Sequence, residues 1–311
     1  MNVDRRATPR RVALVFGAGG PVGHAFHAGA LRAIEETLRW DSGDADVVVG
    51  TSAGAQVGAL VRAGLHGVDL SARVTGEPMR DEARQIAAHF VRPSHREPDP
   101  ALPPSRRPAS PGFLLEALRN PSRLRPGRVI SALLPAGRVR LDAQAEGLQR
   151  LFGDRWPARD LWISAVHLDS GERVMFGAPG APAIDVGTAV TCSCAVPGVY
   201  VPVRWRGLRY VDGGIASATH LDVLEARPLD LVIVLSPLSM FTAVQGLLRL
   251  EMRRLYPHAP VVAIEPREHA RAVMGLNPMA LERAPDVARA AYESTLRALD
   301  EREVRRVLSR V

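Results

Sequence analysis

Val12-Ala-Leu-Val-Phe16-Gly17-Ala-Gly19-Gly20-Pro-Val-Gly23 opens one unit of the chain, and Asp46-Val-Val-Val-Gly50-Thr-Ser52-Ala53-Gly54 closes its first repeat of strand and turn. Both apolar runs are short, rich in β-branched residues and end in glycine, the pattern of parallel strands buried on both faces. Between them, Ala30 to Trp40 sets Leu31, Ile34 and Leu38 on one side and Glu35 and Glu36 elsewhere, which predicts an amphipathic helix. Strand, helix and strand in this order are a βαβ unit, so the chain reads as α/β. The unit extends from residue 11 to about residue 76, because Ala55, Val57, Leu60 and Val61 carry a second helix out of the second turn.

Further along, Leu161–Leu168, Arg173–Phe176, Tyr200–Trp205, Leu229–Leu235 and Val261–Ile264 read as strands, and the tail from Met279 to Val311 as helical. The stretch from Arg92 to Arg140 is of another kind. It holds ten Arg, ten Pro and three acids (Glu97, Asp99, Glu116), so it contains the whole positive excess of the chain. Such proline density removes backbone donors and stops helices, which excludes a central sheet element. Phe113–Leu118 and Val129–Leu134 are apolar enough for short helices, and the segment reads as an insertion or cap.

The 311 residues are 46% hydrophobic and 23% charged, ordinary for a globular chain that buries a sizeable core. The net charge is +7, and with no Lys present every one of the 40 basic residues is Arg. The Arg-rich stretch has only Phe113 as an aromatic, so base-stacking machinery is missing and nucleic acid is not the expected partner. Cys192 and Cys194 alternate around Ser193 on what reads as a strand, where disulfide geometry is not met, so free buried thiols and a reducing compartment are expected. No export signal and no apolar run of about 18 residues is legible. A cytoplasmic protein, peripheral at most to a membrane, is the expectation.

Gly50-Thr51-Ser52-Ala53-Gly54 fits G-x-S-x-G at a strand-to-helix turn, the context of a nucleophile elbow that lifts a serine hydroxyl above the sheet. A helix N-cap serine is the plainer reading. The Gly17–Gly23 loop also joins a strand to a helix, and its N–H groups suit an anion, either a pyrophosphate or a tetrahedral oxyanion. A dinucleotide site would end the next strand in an acid, and that strand ends in Val49-Gly50. Tyr210-Val211-Asp212-Gly213-Gly214 delivers an acid into a turn.

Glycine loop, Gly-Thr-Ser-Ala-Gly elbow and Asp-Gly-Gly, in this order, resemble the patatin-like phospholipase family. His27-Ala-Gly29-Ala-Leu31 after the loop and Cys194-Ala-Val-Pro197-Gly198-Val-Tyr200 before the aspartate add to the resemblance, which covers about residues 11–76 and 140–236. It implies a central mixed sheet with helices on both faces, a three-layer sandwich, over residues 11–311, with a tail at 1–10 and a Pro/Arg-rich cap or insertion at 77–140. It also implies a serine acyl hydrolase of phospholipase A or lysophospholipase type acting on lipid or acyl esters. Ser52 and Asp212 become a catalytic dyad, and Gly19, Gly20 and Ala53 supply oxyanion N–H groups. Gly17, Gly23, Gly50, Gly54, Gly213 and Gly214 are the motif glycines. No cofactor and no metal are implied, and no His and Cys spacing fits zinc. The cationic segment suits contact with an anionic membrane.

Two departures from the family pattern stand out. Val22 occupies a position where many members carry Arg or Lys, and it follows Pro21, which has no N–H to offer an oxyanion. After Asp-Gly-Gly the chain reads Ile215-Ala-Ser-Ala-Thr-His220 where an Asn and a Pro are common. Alternatives therefore stay open: a Ser–His–Asp triad using His24, His27, His167 or His220, an inactive relative that binds lipid or a partner, and a dinucleotide site at the glycine loop.

Overall fold

Five consecutive apolar residues, Val12–Phe16, form β1 in the middle of an eight-stranded sheet. The structure is a computed structural model that describes residues 11–90, 99–102, 108–110, 129 and 132–308. The other strands are β2 (Val47–Gly50), β3 (Asp160–His167), β4 (Arg173–Phe176), β5 (Val203–Trp205), β6 (Leu208–Asp212), β7 (Leu231–Leu235) and β8 (Val261–Ile264). Their order across the sheet is β5-β6-β3-β2-β1-β7-β8, with β4 paired to β3 off this path. β3, β2, β1, β7 and β8 pair in parallel, whereas β4 and β6 run antiparallel to β3, and β5 runs antiparallel to β6. The sheet is therefore mixed, as the sequence resemblance implies.

Alternation along the central strands feeds two cores. Leu14, Phe16, Val48, Ile163, Ile233 and Leu235 face a large helical layer, while Ala13, Val15, Val47, Val49, Val232 and Val234 face the other way. The large layer contains α1 (Gly20–Leu38), α2 (Ala53–Arg62), α3 (Gly67–Thr75), α4 (Asp81–His89), α5 (Asp142–Phe152), α6 (Val186–Cys194) and α9 (Ala284–Leu299). The second face is covered by α7 (Thr242–Leu255), through Leu248 and Leu255, and by the turn bearing Leu221 and Leu224. α8 (Glu268–Met274) and α10 (Arg302–Leu308) complete the described helices. α1 and α9 cross so closely that a Cβ on Gly29 would lie 1.9 Å from the Ala288 carbonyl oxygen.

Several elements differ from the sequence reading. α1 begins at Gly20 inside the glycine loop rather than at Ala30, so the loop is itself the helix start. Cys192 and Cys194 lie on α6, not on a strand, and both are free and buried. Asp185 caps that helix by accepting the Thr188 N–H at 2.8 Å, which outweighs the β-compatible alternation of Thr191 to Cys194. β5 is confined to Val203–Trp205, because Pro202 lacks a ladder donor. Of the Arg92–Arg140 segment, Phe113–Leu118 lies outside the described residues, as does most of the rest. Asp99 and Leu102 bond Arg138 within the segment, Val139 bridges Tyr200 in parallel, and Ser110 donates to Asp169 at 2.9 Å.

Candidate active site

β2 runs upward beside β3 and leaves it where Gly50 pairs Ile163; β6 runs down the other edge of β3 and ends where Asp212 pairs Ala165. An antiparallel strand and a parallel one thus deliver their ends to positions two residues apart on β3. The turn after β2 is severe. Thr51 donates its N–H to the Phe16 carbonyl at 3.0 Å, Ser52 adopts φ 54° and ψ −119°, and α2 starts at Ala53. For a residue with a Cβ this conformation costs on the order of 1–3 kcal/mol, and it persists because the surroundings fix it. Those surroundings admit no side chain at the flanking glycines. A Cβ on Gly50 would sit 2.5 Å from the Ala55 Cα, and one on Gly54 would sit 2.0 Å from the Phe16 carbonyl oxygen. The helix-cap reading of Ser52 does not describe it, since its side chain makes no cap hydrogen bond.

The Ser52 side chain instead lies against the Asp212 carboxylate, whose pKa it lowers. Asp212 is 4% exposed, and its Oδ1 also accepts the Gly214 N–H at 2.7 Å. Burial raises its pKa to about 6, against the lowering influence of Ser52 and Gly214. The backbone of Ser52 is held from below by α6: its N–H donates to Ser193 Oγ at 2.8 Å and its carbonyl takes the Cys194 thiol at 3.3 Å. Burial pushes that thiol up to about 12. Gly213 passes over Ser164 with no room for a Cβ, which would lie 2.2 Å from Ser164 Oγ.

The glycine loop lies beside this pair. Gly17 N–H goes to Leu235 O and Ala18 N–H to Ala218 O, each at 2.9 Å, while Gly23 N–H turns back to Gly19 O at 2.8 Å. Among the described residues, the N–H groups of Gly19, Gly20 and Ala53 have no acceptor, and Gly20 and Ala53 open helices α1 and α2. Helix N-termini favour negative charge, so an oxyanion is the natural ligand of such donors. Gly20 sits at φ 60°, where an added Cβ would meet the Pro278 carbonyl oxygen.

The histidines divide by role. His27 is fully buried, and its Nε2 lies 2.7 Å from the Gly17 carbonyl oxygen, so it carries a proton there and stays neutral, with burial lowering its pKa to about 4. His220 reaches the Gly213 carbonyl with Nε2 and Arg173 with Nδ1. His167 bonds Ser170 through Nδ1. His24 stacks on Phe90 in the wall of the pocket. Val22 is 2% exposed and bonds Pro278 O through its N–H, so its side chain belongs to the core.

A pocket opens over Ser52. Phe90, Leu141, Tyr200 and Met279 give it apolar walls; Gln56 and Gln144, which the sequence did not single out, add a polar strip. Gln56 stands one helical turn below Ser52 and donates to Gln144 Oε1 at 3.1 Å. Elsewhere Glu35, Asp41 and His66 bring ligand atoms within 4.8 Å of one another, but Glu35 is already taken by Ser42 and by the Gly67 N–H. Among the described residues no helix is long and apolar enough to cross a membrane.

The patatin-like phospholipase family profile matches residues 14–225. No curated protein matches the chain. Among solved structures, it is similar to VipD from Legionella pneumophila, at 14% identity over 94% of this chain and 66% of that one, with a TM-score of 0.46. It is also similar to the type III effector protein ExoU, at 17% identity over 95% and 54% of the two chains and a TM-score of 0.37. Human GIVD cytosolic phospholipase A2 is 12% identical over 99% of this chain and 64% of that one, with a TM-score of 0.42. The chain spans between about half and two thirds of the length of these structures.

Proposed function

The chain belongs to the patatin-like phospholipase family, and on that premise we propose that it is a serine acyl hydrolase of phospholipase A or lysophospholipase type working through a Ser52–Asp212 dyad. One observation carries the reading: a serine in the strained elbow conformation lies against a buried carboxylate whose pKa stands near 6. An ordinary aspartate, at about 3.9, is a poor base at neutral pH; one near 6 is closer to the operating range of a general base.

In this mechanism Ser52 Oγ attacks the ester carbonyl carbon while its proton passes to Asp212. The carbonyl oxygen takes up negative charge facing the N–H groups of Gly19, Gly20 and Ala53. The C–O bond to the alcohol then breaks, and the leaving oxygen takes the proton from Asp212. Water attacks the acyl-serine with Asp212 again accepting a proton, and the fatty acid departs as Ser52 recovers its hydrogen. The apolar walls of the pocket take the acyl chain. Contact with an anionic membrane through the Arg-rich segment belongs to the same reading, and co-sedimentation with anionic against zwitterionic vesicles at two salt concentrations tests it.

A fluorophosphonate followed by intact-mass measurement and peptide mapping tests the dyad. One adduct per chain on Ser52, lost in Ser52→Ala together with ester hydrolysis, is the expected result. Full hydrolysis by Ser52→Ala would overturn the assignment, and a folded chain with neither adduct nor turnover would make it a lipid- or partner-binding relative.

A further inference from the structure

The turn at residues 217–222 lies against both halves of the proposed site. The Ala218 carbonyl accepts the Ala18 N–H at 2.9 Å and so anchors the glycine loop immediately before Gly19. Two residues on, His220 is fully buried in the left-handed region, at φ 55°. Its Nδ1 lies 3.2 Å from Arg173 Nη1 and its Nε2 lies 3.1 Å from the Gly213 carbonyl oxygen. A guanidinium only donates, so Nδ1 is the acceptor and Nε2 carries the proton given to Gly213, the residue after Asp212. Arg173 is pinned in turn by Asp222 at 2.7 Å.

What fixes the turn itself is a carboxylate from the second face of the sheet. Ser217 Oγ accepts the N–H groups of Thr219 at 3.1 Å and of His220 at 2.9 Å, and gives its own proton to Glu251 Oε1 on α7. Glu251 Oε2 accepts the Thr219 hydroxyl at 2.7 Å and the Leu221 N–H at 3.1 Å. All three partners of Glu251 are donors. A glutamine there keeps the shape but brings an NH₂ group to donors, and Ser217 Oγ, already accepting twice, has no capacity left for it.

We propose that Glu251 is a positioning residue for ester hydrolysis: through the 217–222 turn it sets the distance between the glycine loop and the Asp212-Gly213 turn. The proposal rests on the Ser52–Asp212 reading. Misplacement of reacting groups by about 1 Å costs up to about 100-fold in rate, and the loss falls on turnover rather than on substrate binding.

Glu251→Gln, Ser217→Ala and the parent protein are compared well below their melting temperatures. Three readouts are taken: kcat and KM on a short p-nitrophenyl ester, the rate of fluorophosphonate labelling, and hydrogen exchange of peptides covering 16–23 and 208–216. Turnover and labelling are expected to fall about 10- to 100-fold with KM within about twofold, and both peptides to exchange faster. A folded Glu251→Gln protein with parental kcat and labelling overturns the proposal, as does faster exchange confined to residues 217–224. If Glu251→Gln does not fold, Ser217→Ala, which removes the first link only, is judged by the same outcomes. A parent protein that does not label at Ser52 fails the dyad reading, and the exchange of the two peptides still decides whether Glu251 holds both loops.

Discussion

Asp212 Oδ1 accepts the Gly214 N–H at 2.7 Å, so the carboxylate that meets the Ser52 hydroxyl is tied to the backbone of its own turn. A buried acid held in this way is a group whose protonation can be followed in both rate and stability.

With ionised Asp212 as the proposed base, kcat/KM for a soluble ester should rise with pH through a midpoint near 6 and level off above it. Stability should move the other way. Below about 4 the group is protonated in both folded and unfolded chains; above 6 it is ionised in both, and only the fold bears the burial penalty, on the order of 3 kcal/mol. Asp212→Asn should therefore remove most turnover and raise the melting temperature at pH 8, with the gain absent at pH 4. Calorimetry at the two pH values, beside the rate profile, checks both signs.

Gly20→Ala should damage turnover. The new Cβ would lie 2.6 Å from the Pro278 carbonyl oxygen, at a residue whose φ is 60°, so the loop must shift and take the Gly19 and Gly20 N–H groups with it. Loss of one oxyanion donor costs about 2.7–4 kcal/mol of barrier, and the fall should appear in kcat more than in KM. Micromolar NAD or NADP binding by the parent, abolished in this variant, would return the loop to the dinucleotide reading.

Val22→Arg should not raise ester turnover. The position faces the core at 2% exposure, so a guanidinium there would be buried without a partner and cost on the order of 3 kcal/mol or more. Urea unfolding should show the loss, and ester turnover by the folded fraction should not exceed that of the parent.

His27→Phe should cost about 1–3 kcal/mol at pH 7, by leaving the buried Gly17 carbonyl without the donor it has at 2.7 Å. Its pKa of about 4 in the fold lies below the unfolded value, so its contribution to stability is complete above about 6.5 and is lost as pH falls towards 4. This opposes the Asp212 effect across nearly the same window. Unfolding curves from pH 4 to 7 should show a smaller acid-side loss in His27→Phe than in the parent.

The central strands and the two glycine turns were legible because they are local. Val12–Phe16 and the Val47–Gly50 run end in residues that only a tight turn requires, and the Asp-Gly-Gly segment brings its acid to the place where that turn begins. What the sequence did not reveal depends on contacts across long separations. Nothing in Cys192-Ser-Cys194 announces a helix; its burial beneath Ser52, 141 residues away along the chain from Ser193, does. His220 looks like a candidate base until its αL backbone and its bonds to Arg173 and Gly213 give it a different task. Gln56 and Gln144 become pocket residues only when α2 and α5 are brought together, and no spacing links Glu251 to Ser217 before α7 folds across the second face.

The Cys194 thiol under Ser52 bears on the choice of covalent inhibitors. An electrophile that enters this pocket meets both the Ser52 hydroxyl and the Cys194 sulfur, yet burial holds the sulfur protonated far above neutral pH. Only a thiolate competes well for soft alkylating agents. Haloacetamides and maleimides should therefore pass the site by, while phosphonates and other serine-directed groups find it, so the protein offers warheads a built-in discrimination between oxygen and sulfur nucleophiles.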